Sequence, residues 1–320
     1  MSTSFWPLIK FVPAQTHFKF TRLAPYLAIV SAIAVIASVA SFFTIGLNFG
    51  IDFKGGTVVE FTTPGGVPQE QVLAKMRTAL AKAGVQDPQV RGLSAANDAE
   101  LRYVPPKGED PTAGVPKLEA QLAPQFPGIQ FKPPTGVGSK VSGELFTSGM
   151  LALGIAVGLM LLYIWFRFQL QFGLGAVIAI FHDLILTIGI LSVTQTEFSM
   201  TSIAALLTII GYSMNEKVIT FDRLRENLRK YKRTALRDII DLSENERLSR
   251  TLITGTTALL ALGGMLFLGG PTLEPLVFAM VFGIIVGTYS SIYVALPIIL
   301  VWGVKRSDEE AVPFKPTGQR

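Results

Sequence analysis

Gly211-Tyr212-Ser213-Met214-Asn215-Glu216-Lys217-Val218-Ile219-Thr220-Phe221-Asp222-Arg223-Leu224-Arg225-Glu226-Asn227 sits inside a long apolar run, yet it carries Asn, Glu and Lys side by side. An ionised side chain near the middle of a membrane helix costs about 2.5–3.5 kcal/mol on insertion scales, so such residues face a protein interior and carry protons, ions or substrate. The surrounding chain has the composition that makes this reading relevant. Of its 320 residues, 49% are hydrophobic and 16% charged, too apolar and too charge-poor for an ordinary soluble domain. The absence of cysteine excludes disulfides, thiolate metal sites and thiol chemistry, and the two histidines, His17 and His182, lie far apart. No metal site is expected. The formal charge of +5 comes from basic residues that flank apolar runs, which argues for membrane orientation and against nucleic-acid binding.

Ahead of the first apolar run, residues 1–24 carry Lys10, Lys19 and Arg22 and no acid. The pattern has the basic start of a secretory signal, and a small-residue stretch such as Ser38-Val39-Ala40 could serve as a cleavage site. The apolar run, however, is far longer than the roughly 7–15 residues of a cleavable core and suits the roughly 20 residues of a full span. An uncleaved first span over 25–49 is expected, with 1–24 in the cytoplasm.

Residues 50–145 form the one long polar region, with as many Lys and Arg as Asp and Glu. Strand-like stretches at 58–63, 89–93, 100–104 and 129–132 alternate with helical patterns at 68–83 and 115–126. The order β-α-β-β-α-β is that of a small ferredoxin-like α+β domain, with two helices on one face of an antiparallel sheet. Its carboxylates lack metal-ligand spacing, and docking is the role expected of it.

Five more apolar runs, near 147–166, 172–194, 199–221, 251–269 and 275–302, give a polytopic bundle of six transmembrane helices. With the first span running outward, the polar domain and the short loops at Glu197 and at Pro271-Thr272-Leu273-Glu274 lie outside, and those loops hold no Lys or Arg. The inner segments hold Arg167, then Arg223, Arg225, Arg229, Lys230, Lys232, Arg233 and Arg237, then Lys305 and Arg306. This asymmetry places both termini in the cytoplasm, with 304–320 as a tail and 146–303 as the rest of the bundle. The charged stretch 222–248 connects spans four and five. It reads as an amphipathic helix on the anionic inner leaflet, a solvated connector, or a docking surface for a cytoplasmic partner.

Helical spacing draws polar stripes on three spans: Asp183 and Thr187, with His182 beside them; Thr208, Tyr212, Asn215, Glu216 and Thr220; and Arg250, Thr254 and Thr257. Lipid-facing surfaces have no use for such stripes, so the three faces are expected to converge inside the bundle. Gly154-x-x-x-Gly158 and Gly283-x-x-x-Gly287 would permit close helix approach. A carboxylate in low dielectric holds its proton more tightly, which makes Glu216 the natural proton carrier. Arg250 is expected to meet it from the same cytoplasmic side, either as a static ion pair or as the partner between proton uptake events. Lys217, about 100° further round the helix, either snorkels to the inner interface or joins the charge network. His182-Asp183 is a structural pair or a relay.

Several of these stretches also resemble a known family. Gly50-Ile51-Asp52-Phe53-Lys54-Gly55-Gly56-Thr57, Phe181-His182-Asp183, Leu207-Thr208-Ile209-Ile210-Gly211-Tyr212-Ser213, Phe221-Asp222-Arg223-Leu224-Arg225-Glu226-Asn227 and Arg250-Thr251-Leu252-Ile253-Thr254 are similar to the SecF family of bacterial protein translocase subunits, related to the resistance-nodulation-division transporters. The resemblance implies a non-enzymatic, multi-pass inner-membrane subunit. It would act with SecD beside the SecYEG channel and the SecA motor, and with YajC and YidC, using the proton-motive force to draw preproteins out on the periplasmic side. It also implies that Asp52, Gly55 and Gly56 form the family motif after the first span, that Arg250 and Glu216 take part in coupling, and that no bound cofactor is needed beyond an ion gradient of protons or sodium. One departure stands out: where the family has Asn-Asp-Thr or Asn-Asp-Ser, this chain has Asn215-Glu216-Lys217. Half of a proton-driven efflux transporter of the same superfamily is the alternative, although six spans and one modest external domain supply only half of such a pump. A membrane enzyme is disfavoured, because no Ser-His pair, metal cluster or protease-like aspartate pair is present.

Overall fold

A computed structural model describes residues 16–63, 69–85, 88–93, 97–105, 110–269 and 273–304. Lys10, Lys305 and Arg306, and Pro271 and Thr272 of the expected outer loop, lie outside the described residues. The chain opens with helix α1 (Phe20–Thr44) and a one-turn helix α2 (Ile51–Lys54). An α+β domain follows as β1 (Gly56–Thr62), α3 (Gln69–Lys82), β2 (Gln89–Gly92), β3 (Asp98–Tyr103), α4 (Val115–Leu122), β4 (Gln130–Phe131) and β5 (Thr135–Val137). Long helices complete it: α5 (Ser139–Arg167), α6 (Leu170–Thr194), α7 (Met200–Lys230), α8 (Leu236–Leu268) and α9 (Glu274–Ser290), the last continued by a π-turn (Ser291–Ala295) into α10 (Leu296–Trp302).

Among the described residues, five helical segments are long and apolar enough to cross a membrane: α1, α5, α6, α8 and the continuous stretch from α9 through α10. The 31-residue α7 is not among them, since Asn215, Glu216 and Lys217 interrupt its apolar run and charged residues follow from Asp222. Burial in α1 is inverted relative to a water-soluble helix. Ile29, Val30, Ile33, Ile36 and Phe43 are exposed, whereas Thr21, Ala24, Ser31 and Ser41 are buried. Lipid tails are as apolar as these side chains, so contacts between helices fall to small and polar residues. The Ser41 and Ser192 hydroxyls hydrogen-bond at 2.8 Å to join α1 to α6, and Ser31 meets the Tyr289 hydroxyl at 2.8 Å to join α1 to α9. On α5 the same logic leaves Leu151, Ile155, Leu159, Trp165 and Phe166 facing outward.

The centre of the bundle is α6, α7 and α9. Close approach of α9 to α7 depends on Gly283 and Gly287: a methyl group at Gly283 would collide with the Ile209 side chain, and one at Gly287 would lie 3.3 Å from the Cβ of Ser213. The other small-residue pair, Gly154 and Gly158, faces open space on α5.

The stretch 222–248 does not form a separate helix. Residues 222–230 continue α7, a break at 231–235 reverses the chain, and α8 begins at Leu236, so the two helices form a hairpin. Arg223 Nε donates to Glu246 at 2.8 Å and Asn227 Nδ2 to Ser243 at 3.0 Å, pinning its arms together. The amino terminus of α1 docks on the same hairpin, where the Thr21 amide and hydroxyl both donate to Asp241 at 2.8 Å.

In the α+β domain the strand order is β2-β3-β1-β4, with β5 also pairing with β1, and every pairing is antiparallel. The period-2 alternation of β1 and β3 turns Val59, Phe61, Ala99 and Leu101 to one face, where they pack with Val72, Met76 and Leu80 of α3 and Leu118 and Leu122 of α4. Two contacts anchor this domain to the bundle. Arg102 of β3 pairs with Glu197, in the loop between α6 and α7. Although burial opposes the charge of Arg102, Glu197 and Glu100 outweigh it and raise its pKa.

The second anchor is the motif after α1. Gly55 (φ 73°) and Gly56 (φ 152°) take left-handed-side backbone conformations that reverse the chain from α2 into β1. Asp52 on α2 accepts the amide of Met200, the first residue of α7, at 3.0 Å. Phe49, Phe53, Phe146 and Phe198 close around this point with centroid separations of 5.4–6.2 Å. Asp52 thus supplies both a hydrogen bond and a negative charge to a helix amino terminus. Replacing it with Ala is expected to cost about 1 kcal/mol, as loss of a helix cap does. The cost should appear as a thermal midpoint a few degrees lower, and an unchanged midpoint would show the cap to be idle.

Candidate functional site

Two buried charge clusters occupy the space between α6, α7, α8 and α9. They exist because Glu216 and Lys217 are adjacent on α7 and therefore point about 100° apart. Glu216 faces α8, while Lys217 faces α6 and α9.

Around Lys217, whose side chain is 0% exposed, Nζ donates to Asp183 Oδ2 at 2.9 Å, to the hydroxyls of Ser213 and Ser290, and more distantly to the Ser213 carbonyl at 3.4 Å. Both serine hydroxyls donate in turn to Asp183 Oδ2, so they accept from the cation and donate to the anion. Asp183 Oδ1 lies 3.0 Å from His182 Nδ1, and the His182 ring stacks on Tyr289 with 27° between planes. His182 Nε2 is buried and has no hydrogen-bond partner among the described residues.

In the second cluster the Arg247 guanidinium uses all five of its donors. Nε and Nη2 form a fork on Glu244, Nη1 donates to Thr251 at 2.7 Å and to Glu216 Oε2 at 3.4 Å, and Nη2 reaches the Ser291 hydroxyl at 3.1 Å. Thr251 relays the contact by donating to Glu216 Oε2 at 3.1 Å. The π-turn explains how consecutive residues serve both clusters. Widening the helix after Ser290 leaves Ser290 and Ser291 both fully buried, one on Lys217 and the other on Arg247. Such π-turns recur at functional sites.

The positions of the sequence-predicted residues can now be compared with this geometry. Asp183, His182 and Glu216 are buried within it. Arg250 does not meet Glu216; it is exposed on α8, and Arg247, one turn earlier, takes the place expected of it. Lys217 does not snorkel, because its ammonium is turned into the bundle. Of the polar stripes, Thr220 is buried with its hydroxyl on the Glu216 carbonyl, and Tyr212 is half-buried against Thr288. Thr208, Asn215, Thr254 and Thr257 are instead exposed, so the stripes on α7 and α8 do not converge inside this chain. The Thr208, Thr254 and Thr257 hydroxyls return to carbonyls of their own helices.

The residues missed by the sequence reading are Glu244, Arg247, Ser213, Ser290 and Ser291, while Thr251 lies beside the stripe read on span five. The spacing Glu244-x-x-Arg247-x-x-x-Thr251 is an i, i+3, i+7 face and is a readable signal. The apolar run that begins at Thr251 hides it by placing the first two residues in a connector.

Comparisons with known proteins bear on the family and the fold. Residues 117–305 match the family described as protein export membrane protein SecD/SecF, C-terminal, and residues 40–63 match the SecD/SecF GG motif. The chain is 42% identical over 319 residues to protein translocase subunit SecF of Rhodobacter capsulatus, covering 95% of both chains. It is 41% identical over 308 residues to the same subunit of Cereibacter sphaeroides, covering 93% of both. The crystal structure of SecDF, a translocon-associated membrane protein from Thermus thermophilus, superposes with a TM-score of 0.79 at 31% identity. That match covers 92% of this chain and 40% of the longer SecDF chain.

Proposed function

Because the chain belongs to the SecD/SecF family of protein export membrane proteins, we propose that it is the SecF-type accessory subunit of the Sec preprotein translocase, working with SecD to couple the proton-motive force to export across the bacterial inner membrane. In this reading α7 is a sixth span, its charges carried because they face other helices. The external domain is a periplasmic ferredoxin-like domain, in keeping with its β2-β3-β1-β4 order, and both termini are cytoplasmic. SecD covers the face on which Thr208, Gly211 and Asn215 of α7 and Arg250, Thr254 and Thr257 of α8 are exposed. Arg250 then acts at that interface, and the two bundles together line the ion path.

The observation that carries the reading is the sharing of one guanidinium by two buried carboxylates, Glu216 and Glu244. With Asp183 set against Lys217, the buried layer holds three acids, two bases and the His182 imidazole. With the imidazole uncharged it is neutral only when one carboxylate keeps a proton, and an uncompensated charge in low dielectric is costly. Taking up or losing that proton changes which of the two carboxylates Arg247 must satisfy, and therefore how α7 sits against α8. A protonation event is thereby converted into helix movement.

The test is Glu216→Gln in a reconstituted SecD–SecF pair. Export stimulated by an imposed pH gradient should fall to the ungradiented level while the pair still assembles. Stimulation equal to wild type would remove Glu216 from the coupling path.

A further inference from the structure

The contacts of Lys217 are those of an ion in a binding site. Four oxygens from three residues converge on Nζ: the Asp183 carboxylate, the Ser213 and Ser290 hydroxyls, and the Ser213 carbonyl. They come from three different helices, α6, α7 and α9, and all of these residues are buried. Ser213 donates to Asp183, and Ser290 to Asp183 at 2.8 Å with the Gly287 carbonyl at 3.2 Å as its other acceptor, so both hydroxyls keep lone pairs for the cation. Every neighbour of Nζ therefore accepts, so the geometry is that of an ammonium with its three protons placed. An all-oxygen shell of one carboxylate, hydroxyls and a carbonyl is also the donor set that hard metal cations take. In membrane transporters, sites for sodium and protons are built in this way, at the midplane between helices.

We propose that Lys217 is a built-in cation that occupies an alkali-ion cage and so sets the ion specificity of the coupling mechanism. With its ammonium in place, the shell has no vacancy for sodium, and the mobile charge is left to the Glu216–Arg247–Glu244 cluster, where only a proton fits among groups already hydrogen-bonded. This inference rests on the ion-coupled reading above and extends it by naming the residue that selects the ion. Sequence alone leaves protons and sodium equally open.

Lys217→Thr tests the cage directly. The substitution removes the ammonium and its stem, leaves room for a desolvated cation and a water, and adds one more hydroxyl. The full chain with SecD is purified as wild type, as Lys217→Thr, and as the Asp183→Asn/Lys217→Thr double variant. Thermal unfolding is followed in sodium chloride and in choline chloride of equal ionic strength. Wild type should unfold at the same temperature in both salts. Lys217→Thr should unfold several degrees higher in sodium, with saturable dependence on its concentration, as expected for a ligand that binds only the folded state. The double variant, which has no carboxylate in the cage, should not respond.

Stabilisation of wild type by sodium would overturn the proposal, as would a folded Lys217→Thr that ignores sodium. A Lys217→Thr chain that accumulates in neither salt would also overturn it, because a sodium-filled cage supplies the missing charge. In proteoliposomes the same variant should become responsive to a sodium gradient. Saturable sodium stabilisation without gradient-driven export in any variant would count against the coupling function and leave the cage standing.

Discussion

Arg247→Ala should destabilise the membrane bundle by about 3–5 kcal/mol, the range for removing one partner from a buried ion pair. The substitution strands two carboxylates, Glu216 and Glu244, that are each 1% exposed and share the lost guanidinium. It also leaves the hydroxyls of Thr251 and Ser291 without their charged neighbour. Arg247→Lys keeps the charge but cannot form the two-pronged contact with Glu244, so it should fall between wild type and Ala. Arg250→Ala provides the contrast. Its side chain is exposed in this chain, and surface substitutions usually stay within about 0.5 kcal/mol. If Arg250 serves the SecD interface, its loss should appear in gradient-driven export and in pair affinity, and not in the unfolding of the isolated chain. Denaturant or thermal unfolding in detergent separates the two arginines. An Arg247→Ala chain as stable as wild type, or an Arg250→Ala chain as unstable as Arg247→Ala, would show that the two roles have been assigned the wrong way round.

The confusion between these arginines has a physical source that bears on how much of the protein is legible in its sequence. Hydropathy locates a span by where charges stop, and on that basis α8 should start near Thr251. In the molecule it starts at Leu236, because Glu244 and Arg247 satisfy each other and can enter the bundle as a pair. Pairing offsets the penalty that hydropathy assigns to each residue separately, so the first turns of a helix built on an ion pair are invisible to it. The same effect lowers the apparent hydropathy of α7.

Polar stripes mislead for a different reason. Thr208, Thr254 and Thr257 do share faces at helical spacing, but threonine can return its hydroxyl to its own helix and so face outward without an unsatisfied group. Asp183 and Lys217 have no such option, and both are buried. The serines that complete their cluster, Ser213 and Ser290, share faces with Lys217 and with Gly283 and Gly287 at helical spacing, but a lone serine in an apolar run is a weak signal. They become identifiable only when Gly283 and Gly287 bring α9 against α7. The α+β domain is easier to read, because period-2 alternation in β1 and β3 follows from the strands themselves.

The largest effects should come from separating Asp183 and Lys217. Asp183→Asn alone leaves a fully buried ammonium with hydroxyl and amide partners but no counter-charge. Lys217→Met alone leaves a carboxylate with two serine donors and His182. Each single change should cost about 3–5 kcal/mol, the cost of leaving one charge of a buried pair unpaired. Replacing both removes the charges together and nearly preserves side-chain volume, and neutral replacements of buried ion pairs are often close to neutral in stability. The double variant should therefore be more stable than either single variant, so the coupling energy should exceed the loss from one single change and lie above the roughly 0.5–3 kcal/mol usual for residues in contact. In the chains that carry Lys217→Met the thioether side chain would fill the cage, so sodium should rescue none of them, in contrast to Lys217→Thr. If the losses from Asp183→Asn and Lys217→Met simply add, the two charges do not depend on each other and the ammonium is not the counter-ion of Asp183. If the double variant recovers stability but loses gradient-driven export, the pair is kept for its effect on the ion path, since the fold holds without it.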